Sequence, residues 1–306
     1  MDDAVIFREL NNLAPGRVRA DESMRKHTSW RIGGPADLFV EPENSEELGQ
    51  VIAYANNRGI MVMVIGAGSN LLVSDAGIKG IVIKLGTGMS KVTCSGNEIT
   101  AEAGARLADV GTAAKKAGLG GFEFSVGIPG TVGGAIVMNA GVNGADIGNL
   151  VKQVVLVSPA GETLTRGKDS LAFGYRESIL QREPAILTEA TFSCYPKEKT
   201  IIQAETDAFL SRRKTSQPLR CPNAGSVFKN PPVEAAGRLI DAAGLKGIRI
   251  GGAQVSALHA NFIVNLGNAS AGDVAALIDR IQSEVRSRFG VDLQPEIRFA
   301  GFDPKF

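Results

Sequence analysis

The chain has 306 residues, 44% hydrophobic and 21% charged, with 33 Lys and Arg against 32 Asp and Glu. That length accommodates two or three domains with sizeable cores, and the even charge balance excludes a broad basic face for nucleic acid. Three scattered cysteines and two histidines give no metal spacing and no disulfide framework, and MDDAVIFREL lacks the apolar core of a signal peptide. The expectation is a cytoplasmic chain without a metal.

A strand is expected at 36–40. Ser45 then caps a helix that sets Leu48, Val51, Ile52 and Ala55 on one face, with Glu46 and Glu47 in its first turn. A strand at 61–65 runs into VIGAGSN, residues 64–70. Gly66 and Gly68 begin like a dinucleotide turn, but Leu71 stands where the G-x-G-x-x-G fingerprint needs its third small residue. The following LLVSDAGIKGIVIKLG reads as extended chain with a strand at 79–85, whereas a Rossmann loop opens directly into a helix. A Rossmann site is therefore excluded. GAGSN can still bind an anion, because successive amides curl into a concave nest and Ser69 and Asn70 add side-chain donors. A plain tight turn is the alternative. Gly68 is read as facing the ligand, so that a Cβ there would push a pyrophosphate away.

A turn leads to a strand at 98–103 and a helix marked by Leu107, Val110, Ala114 and Ala117. Residues 124–145 carry no charge but hold six Gly, one Pro and two Asn, too many breakers for a membrane helix. Within them GIPGTVGGAIVMNAG, residues 127–141, forms a second loop. Pro129 and Thr131 read as a helix start, and Gly130, Gly133 and Gly134 strip side chains from one face. Two such loops would clasp an extended diphosphate.

Strands follow at 151–157 and 185–192. The segment 194–222 reads as a hinge around a polar helix. Val233, Ala236, Leu239, Ile240 and Ala243 mark a helix begun by Pro231 and Pro232 and stopped at Gly244. After a strand at 261–265, Ser270 caps the longest helix, with Asp273 at the capping-box position and a stripe of Val274, Leu277, Ile278, Ile281 and Val285. A strand at 292–299 ends the pattern.

Three polar residues stand out for chemistry. Arg176 in FGYRES is a cation that stays charged and suits a carboxylate or enolate, or it is an ordinary surface arginine. Ser226 in AGSVFKN reads on its own as a turn or cap residue. Glu296 in LQPEIRF alternates with apolar neighbours, as a solvated strand-edge carboxylate does.

The order VIGAGSNLLV, GIPGTVGGAIVMNAG, FGYR, GSVFKNP and QPEIRF, spanning about Thr28 to Phe299, closely resembles the UDP-N-acetylenolpyruvoylglucosamine reductase family of peptidoglycan synthesis. The resemblance implies an α/β and α+β architecture: a vanillyl-alcohol-oxidase-type FAD-binding fold of two lobes plus a C-terminal α+β substrate domain. The lobes would be 1–65 and 66–197, with 297–306 returning to the second, and the substrate domain 198–296. It implies FAD on Gly66, Ala67, Gly68, Ser69, Asn70 and Leu71 and on Gly127, Ile128, Pro129, Gly130, Thr131, Gly133, Gly134 and Ala135.

NADPH would reduce the flavin, leave, and be replaced by the enolpyruvyl sugar nucleotide. Reduced FAD N5 would deliver hydride to the vinyl ether, Ser226 would donate the proton, and Arg176 and Glu296 would stabilise the developing charge. Tyr175, Lys214, Lys229, Asn230, His259 and Asn261 match positions facing the UDP-sugar, although Lys214 also suits a helix C-terminus and His259 also reads as a surface imidazole. Some members insert a long tyrosine-bearing loop after the FGYR arginine. Here nine residues separate Arg176 from Ile186 and none is Tyr, which resembles the shorter subtype.

The partners expected are small molecules alone, with neither nucleic acid nor membrane, acting on a monomer. Two other readings stay open from the residues. One is an FAD-dependent oxidase of the same fold acting on a small alcohol or phenol, with His27 or Cys94 as a covalent anchor. The other is a non-catalytic flavin-binding protein, which would not need Arg176, Ser226 and Glu296 together.

Overall fold

The computed structural model describes residues 3–142 and 144–302. The chain divides into two compact units, each with its own core. The first takes the chain up to Asp21, Asp37–Ala67 and Gly80–Ser211; the second takes Glu22–Ala36, Gly68–Lys79 and the chain from Arg212.

The first unit opens with α1 (Asp3–Leu13), a helix the sequence reading lacks; Ile6 and Leu10 are its buried contacts. In α2 (Ser45–Asn57) the expected apolar face is buried, but the cap is Asn44, whose Oδ1 accepts from Glu47 N at 2.9 Å. Ser45 is thus the first helical residue. A four-stranded sheet runs in the order Val18–Ser23, Pro35–Val40, Ile78–Lys84, Val62–Ile65, with the last two parallel. A five-stranded sheet, antiparallel throughout, runs in the order Thr163–Gly167, Val151–Val157, Ile186–Ser193, Glu98–Glu102, Val92–Ser95.

Against it pack α3 (Leu107–Ala117) and the short α4 (Val132–Val137). Leu107, Val110 and Ala114 of α3 are buried, whereas Ala117 is exposed beside the left-handed Gly118 that ends the helix. The polar helix expected in the hinge is α5 (Lys199–Ser216), of which only Ile202 and Thr206 are buried.

The second unit is assembled around Trp30, which is fully buried. Its Nε1 donates to Ile263 O at 2.8 Å, and Asn265 Nδ2 donates to Trp30 O at 2.9 Å. A three-stranded sheet runs Arg249–Ile250, Ala253–Val255, Ile263–Asn265. The helix expected from Pro231 begins later, as α6 (Ala236–Ala242). Asn230 Oδ1 accepts from Ala236 N there, and Val233, read as apolar stripe, is 73% exposed. The prolines lead up to the helix instead of opening it.

The strand expected over 292–299 is regular only at Arg298–Ala300, where it pairs in parallel with Leu71–Val73. Before it, Phe228 and Pro295 form an isolated bridge. Residues 303–306 of the expected return lie outside the described residues. Among the described residues no helix is long and apolar enough to cross a membrane.

The long helix α7 (Ala271–Phe289) matches its expectation in cap, capping box and buried stripe. Asp75 adds a second clamp, with its carboxylate accepting from Ala271 N at 2.9 Å and Gly272 N at 3.1 Å. Asp273 accepts from Ser270 N and Gly252 N, and these bonds, the Ser270 backbone first, hold its carboxyl below the usual range. A folded value below the unfolded one means stability that is fully present above the ordinary carboxylate range and lost as pH falls through the folded value. Asp273→Asn is therefore expected to cost about 1 kcal/mol at neutral pH. Urea midpoints of the variant and the parent should converge on acidification; a constant gap at all pH values would contradict the assignment.

Candidate cofactor and active site

In the first unit the two glycine-rich loops touch. Val62–Ile65 ends at Gly66, and a Cβ on Gly66 would lie 2.1 Å from Thr131 Oγ1. Thr131 is the N-cap of α4, as the sequence indicates. The loop is stitched to the start of α3: Leu107 N donates to Gly130 O at 3.2 Å, Val132 N to Ala105 O at 2.9 Å and Gly133 N to Ala103 O at 2.9 Å. Gly130, at φ +139°, occupies a conformation open to glycine.

Five amides in these loops, those of Gly66, Ala67, Gly130, Thr131 and Gly134, donate to no acceptor among the described residues. Backbone donors in that state require water or an anion. The Gly134 position is open, its nearest neighbour to a Cβ being Thr131 Oγ1 at 3.8 Å, whereas a Cβ on Gly133 would press on Ala103 Cβ at 3.1 Å. Gly133 is thus a packing glycine. Ile128 N and Ala135 N are spent on Ser125 O and Thr131 O, and Gly127 closes a single 3₁₀ turn.

Gly68 corrects the sequence reading. It has φ +60°, and its missing Cβ would lie 2.0 Å from His27 O. Ser29 N also donates to Gly68 O at 3.1 Å. The bare face of Gly68 is turned to the protein, so a valine there would break the loop's packing before it met any ligand. His27 itself pairs through Nε2 with Glu22 Oε1 at 2.9 Å. Like the five amides above, those of Gly68 and Asn70 have no acceptor among the described residues. Leu71 is buried at the head of Leu71–Val73.

Arg176 sits in a two-residue turn closed by Gly174 N to Glu177 O at 3.0 Å and Glu177 N to Gly174 O at 3.2 Å. Its φ is +59°. Its Nη2 donates to Gly141 O at 2.9 Å, and its Cζ lies 5.2 Å from the ring centroid of Tyr175, which is 55% exposed. Three residues absent from the sequence reading hold this turn: Asn139, Ser178 and Gln181. Asn139 and Ser178 fall inside quoted motifs, GIPGTVGGAIVMNAG and FGYRES, while nothing in the sequence singles out Gln181.

In the second unit Ser226 and Glu296 lie on neighbouring segments. Glu296 N donates to Val227 O at 2.7 Å and Lys229 N to Gln294 O at 2.9 Å. The Ser226 hydroxyl makes no hydrogen bond among the described residues. Asn70 brackets Glu296, with Nδ2 donating to Glu296 O at 3.0 Å and its carbonyl accepting from Arg298 N at 2.9 Å.

Asn261 is almost fully buried; its Oδ1 accepts from Phe228 N at 2.9 Å and its Nδ2 donates to Phe228 O at 2.8 Å. Its side chain braces the segment that carries Ser226. His259 Nδ1 accepts from Asn261 N at 3.2 Å, and the ring packs edge-on to Phe262 at 4.7 Å. Burial first, then Lys246, hold its imidazole below the usual value, which favours the neutral ring; with Nδ1 accepting, that form carries its proton on Nε2. Lys214 is exposed in the last turn of α5.

The FAD-binding domain model matches residues 36–167, and the C-terminal domain model of UDP-N-acetylenolpyruvoylglucosamine reductase matches residues 217–300. A relative from Desulforamulus reducens named UDP-N-acetylenolpyruvoylglucosamine reductase is 48% identical over 96% of this chain and 97% of its own length. The crystal structure of UDP-N-acetylenolpyruvylglucosamine reductase from Thermus caldophilus superposes with a TM-score of 0.82 at 36% identity, covering 93% of this chain and 99% of that one. An alkyldihydroxyacetonephosphate synthase, 20% identical with a TM-score of 0.50 over 64% of this chain and 41% of its own, shares the fold alone. Near-complete mutual coverage at that identity means that the chain belongs to the UDP-N-acetylenolpyruvoylglucosamine reductase family, built on the vanillyl-alcohol-oxidase-type FAD-binding fold.

Proposed function

We propose that this chain uses FAD and NADPH to reduce the enolpyruvyl group of UDP-N-acetylglucosamine enolpyruvate to UDP-N-acetylmuramate, a step of peptidoglycan synthesis. The observation that carries the reading is the set of glycine-rich loop amides without an acceptor among the described residues. Such a cradle fits a pyrophosphate, whose charge and acceptor oxygens meet several donors at once. Gly66, Ala67, Gly130, Thr131 and Gly134 would hold it. Residues 1–65 and 66–197 would form the FAD lobes and 198–296 the substrate domain. The exposed Lys214 suits the nucleotide diphosphate, and neutral His259 keeps its Nε2 proton to donate. The three cysteines, all free, fit the reducing cytoplasm, with the chain working as a monomer.

FAD, once reduced by NADPH, supplies the hydride. The negative charge that develops beside the substrate carboxylate needs a cation that cannot be neutralised, and Arg176 provides it. Glu296 contributes to the same stabilisation. Ser226, whose hydroxyl makes no hydrogen bond among the described residues, donates the proton. A hydroxyl is a weak acid, suited to a strongly basic carbanion in a site that excludes water.

Purified protein should be yellow and release FAD on denaturation; a colourless protein that cannot be reconstituted overturns the reading. Gly66→Ala should fold yet hold FAD about ten-fold less tightly, because its methyl group meets the Thr131 hydroxyl and shifts amides worth about 1 kcal/mol each. Thr131→Ala in the same chain should restore part of that loss. Flavin absorbance per protein after gel filtration reads both effects.

Ser226→Ala should bind FAD and be reduced by NADPH at the parent rate. Its oxidation by the enolpyruvyl sugar should slow by about 10² to 10⁴-fold, and Ser226→Cys should recover part of the loss because a thiol is more acidic. Stopped-flow traces of the two half-reactions decide the matter. Equal slowing of both halves would make the serine structural.

A further inference from the structure

Arg176 holds a backbone conformation that costs a non-glycine residue of order 1–3 kcal/mol and persists only where surroundings enforce it. The second central position of its turn is one where glycine or asparagine is the usual occupant. The enforcing groups are side-chain amides. Gln181 uses both protons of Nε2: one goes to Arg176 O at 2.8 Å, the other to Val137 O at 3.0 Å. Val137 is the last residue of α4, and its carbonyl also accepts from Ser178 Oγ at 2.7 Å. Asn139, two residues on and itself at φ +41°, is buried; it donates from Nδ2 to Gly174 O at 2.8 Å and accepts at Oδ1 from Gly148 N at 2.9 Å. The arginine turn is thus bolted at both ends to the C-terminus of α4. The N-terminus of that helix is the second glycine loop, where the Gly134 amide has no acceptor among the described residues.

We propose that Gln181 is a positioning residue for Arg176. Its carboxamide pins the Arg176 carbonyl to the end of α4, so that the guanidinium stands at a fixed offset from the phosphate-binding loop. The inference rests on the reading of Arg176 as the cation of the enolpyruvyl step. Glutamine suits the task because one nitrogen bridges two carbonyls. A leucine of similar size keeps the packing and loses both bonds. A glutamate puts an acceptor against two acceptors until it is protonated.

The test uses holoenzyme carrying Gln181→Leu, Arg176→Ala, or both, with each half-reaction followed by stopped flow and product affinity by calorimetry on the oxidised protein. Arg176→Ala should slow the sugar half-reaction by about 10² to 10³-fold. Gln181→Leu should slow it about ten-fold, the order expected for a lost hydrogen-bond tether, and weaken product binding. NADPH reduction, FAD content and Tm should stay near the parent. In the Arg176→Ala background Gln181→Leu should add nothing, since residues acting as a unit are not additive. Gln181→Glu should be slower than Gln181→Leu at alkaline pH and recover as the glutamate is protonated.

If Arg176→Ala is silent, the functional reading of Arg176 falls and the positioning inference with it. If Arg176→Ala is slow while Gln181→Leu matches the parent or adds its full effect to the double variant, the inference alone is overturned. If Gln181→Leu fails to retain FAD, the pH profile of Gln181→Glu decides: a profile parallel to the parent's overturns the inference, and the predicted recovery supports it.

Discussion

Gly66 lies so close to the Thr131 hydroxyl that even a methyl group has no room between them. The first unit's candidate site depends on that approach. Two loops from distant parts of the chain can share one anion only if their backbones come within reach of the same oxygen atoms. Backbones approach that closely only where a side chain is missing from one of them. The constraint then propagates. Thr131 must begin a helix, the helix must hang from Ala103 and Ala105, and Gly133 must be bare so that it can pack there. A loop pair that looks like ligand chemistry in the sequence is in large part a solution to a packing problem.

A second regularity runs through both units. The groups assigned to chemistry sit on irregular backbone, and irregular backbone leaves carbonyls and amides without regular partners. Here carboxamide side chains supply them: Asn70 at Glu296, Asn261 at Phe228, and Asn139 and Gln181 around Arg176. A carboxamide donates and accepts on one short arm and carries no charge. It can fix a loop without adding an electrostatic field to a site whose own charges matter.

How much of this is legible in the sequence differs by element. The helix from Ala271 to Phe289 reads cleanly because its cap, its capping box and its buried stripe are all local patterns. The helix at Asp3–Leu13 is missing from the sequence reading although Ile6 and Leu10 are buried and Phe7 and Leu13 pack on the same core. The edge strand Thr163–Gly167 is largely exposed and shows no alternation. Among the loop residues, Gly66, Gly68 and Gly133 look alike as letters. Where each missing side chain would point is set by its φ and by a neighbour far away in sequence: Thr131, His27 or Ala103. Family motifs lead to Arg176, Ser226 and Glu296. They do not lead to Gln181, whose partners are carbonyls, and every residue has one of those.

The burial of Trp30 bears on how the protein is made. Its indole donates to a carbonyl 233 positions further along the chain, and Leu72 joins the same apolar cluster from the 68–79 segment. Both are synthesised long before most of the residues that cover them. On a ribosome the first unit has its complete sequence once Ser211 has been added, while the second must keep two early excursions unburied until the last hundred or so residues emerge. Closing such long loops is slow, and waiting apolar surface invites association with other chains. The strand-edge segments 22–36 and 68–79 are therefore where a chaperone has most to shield during translation, and where a truncated transcript would yield an aggregating product.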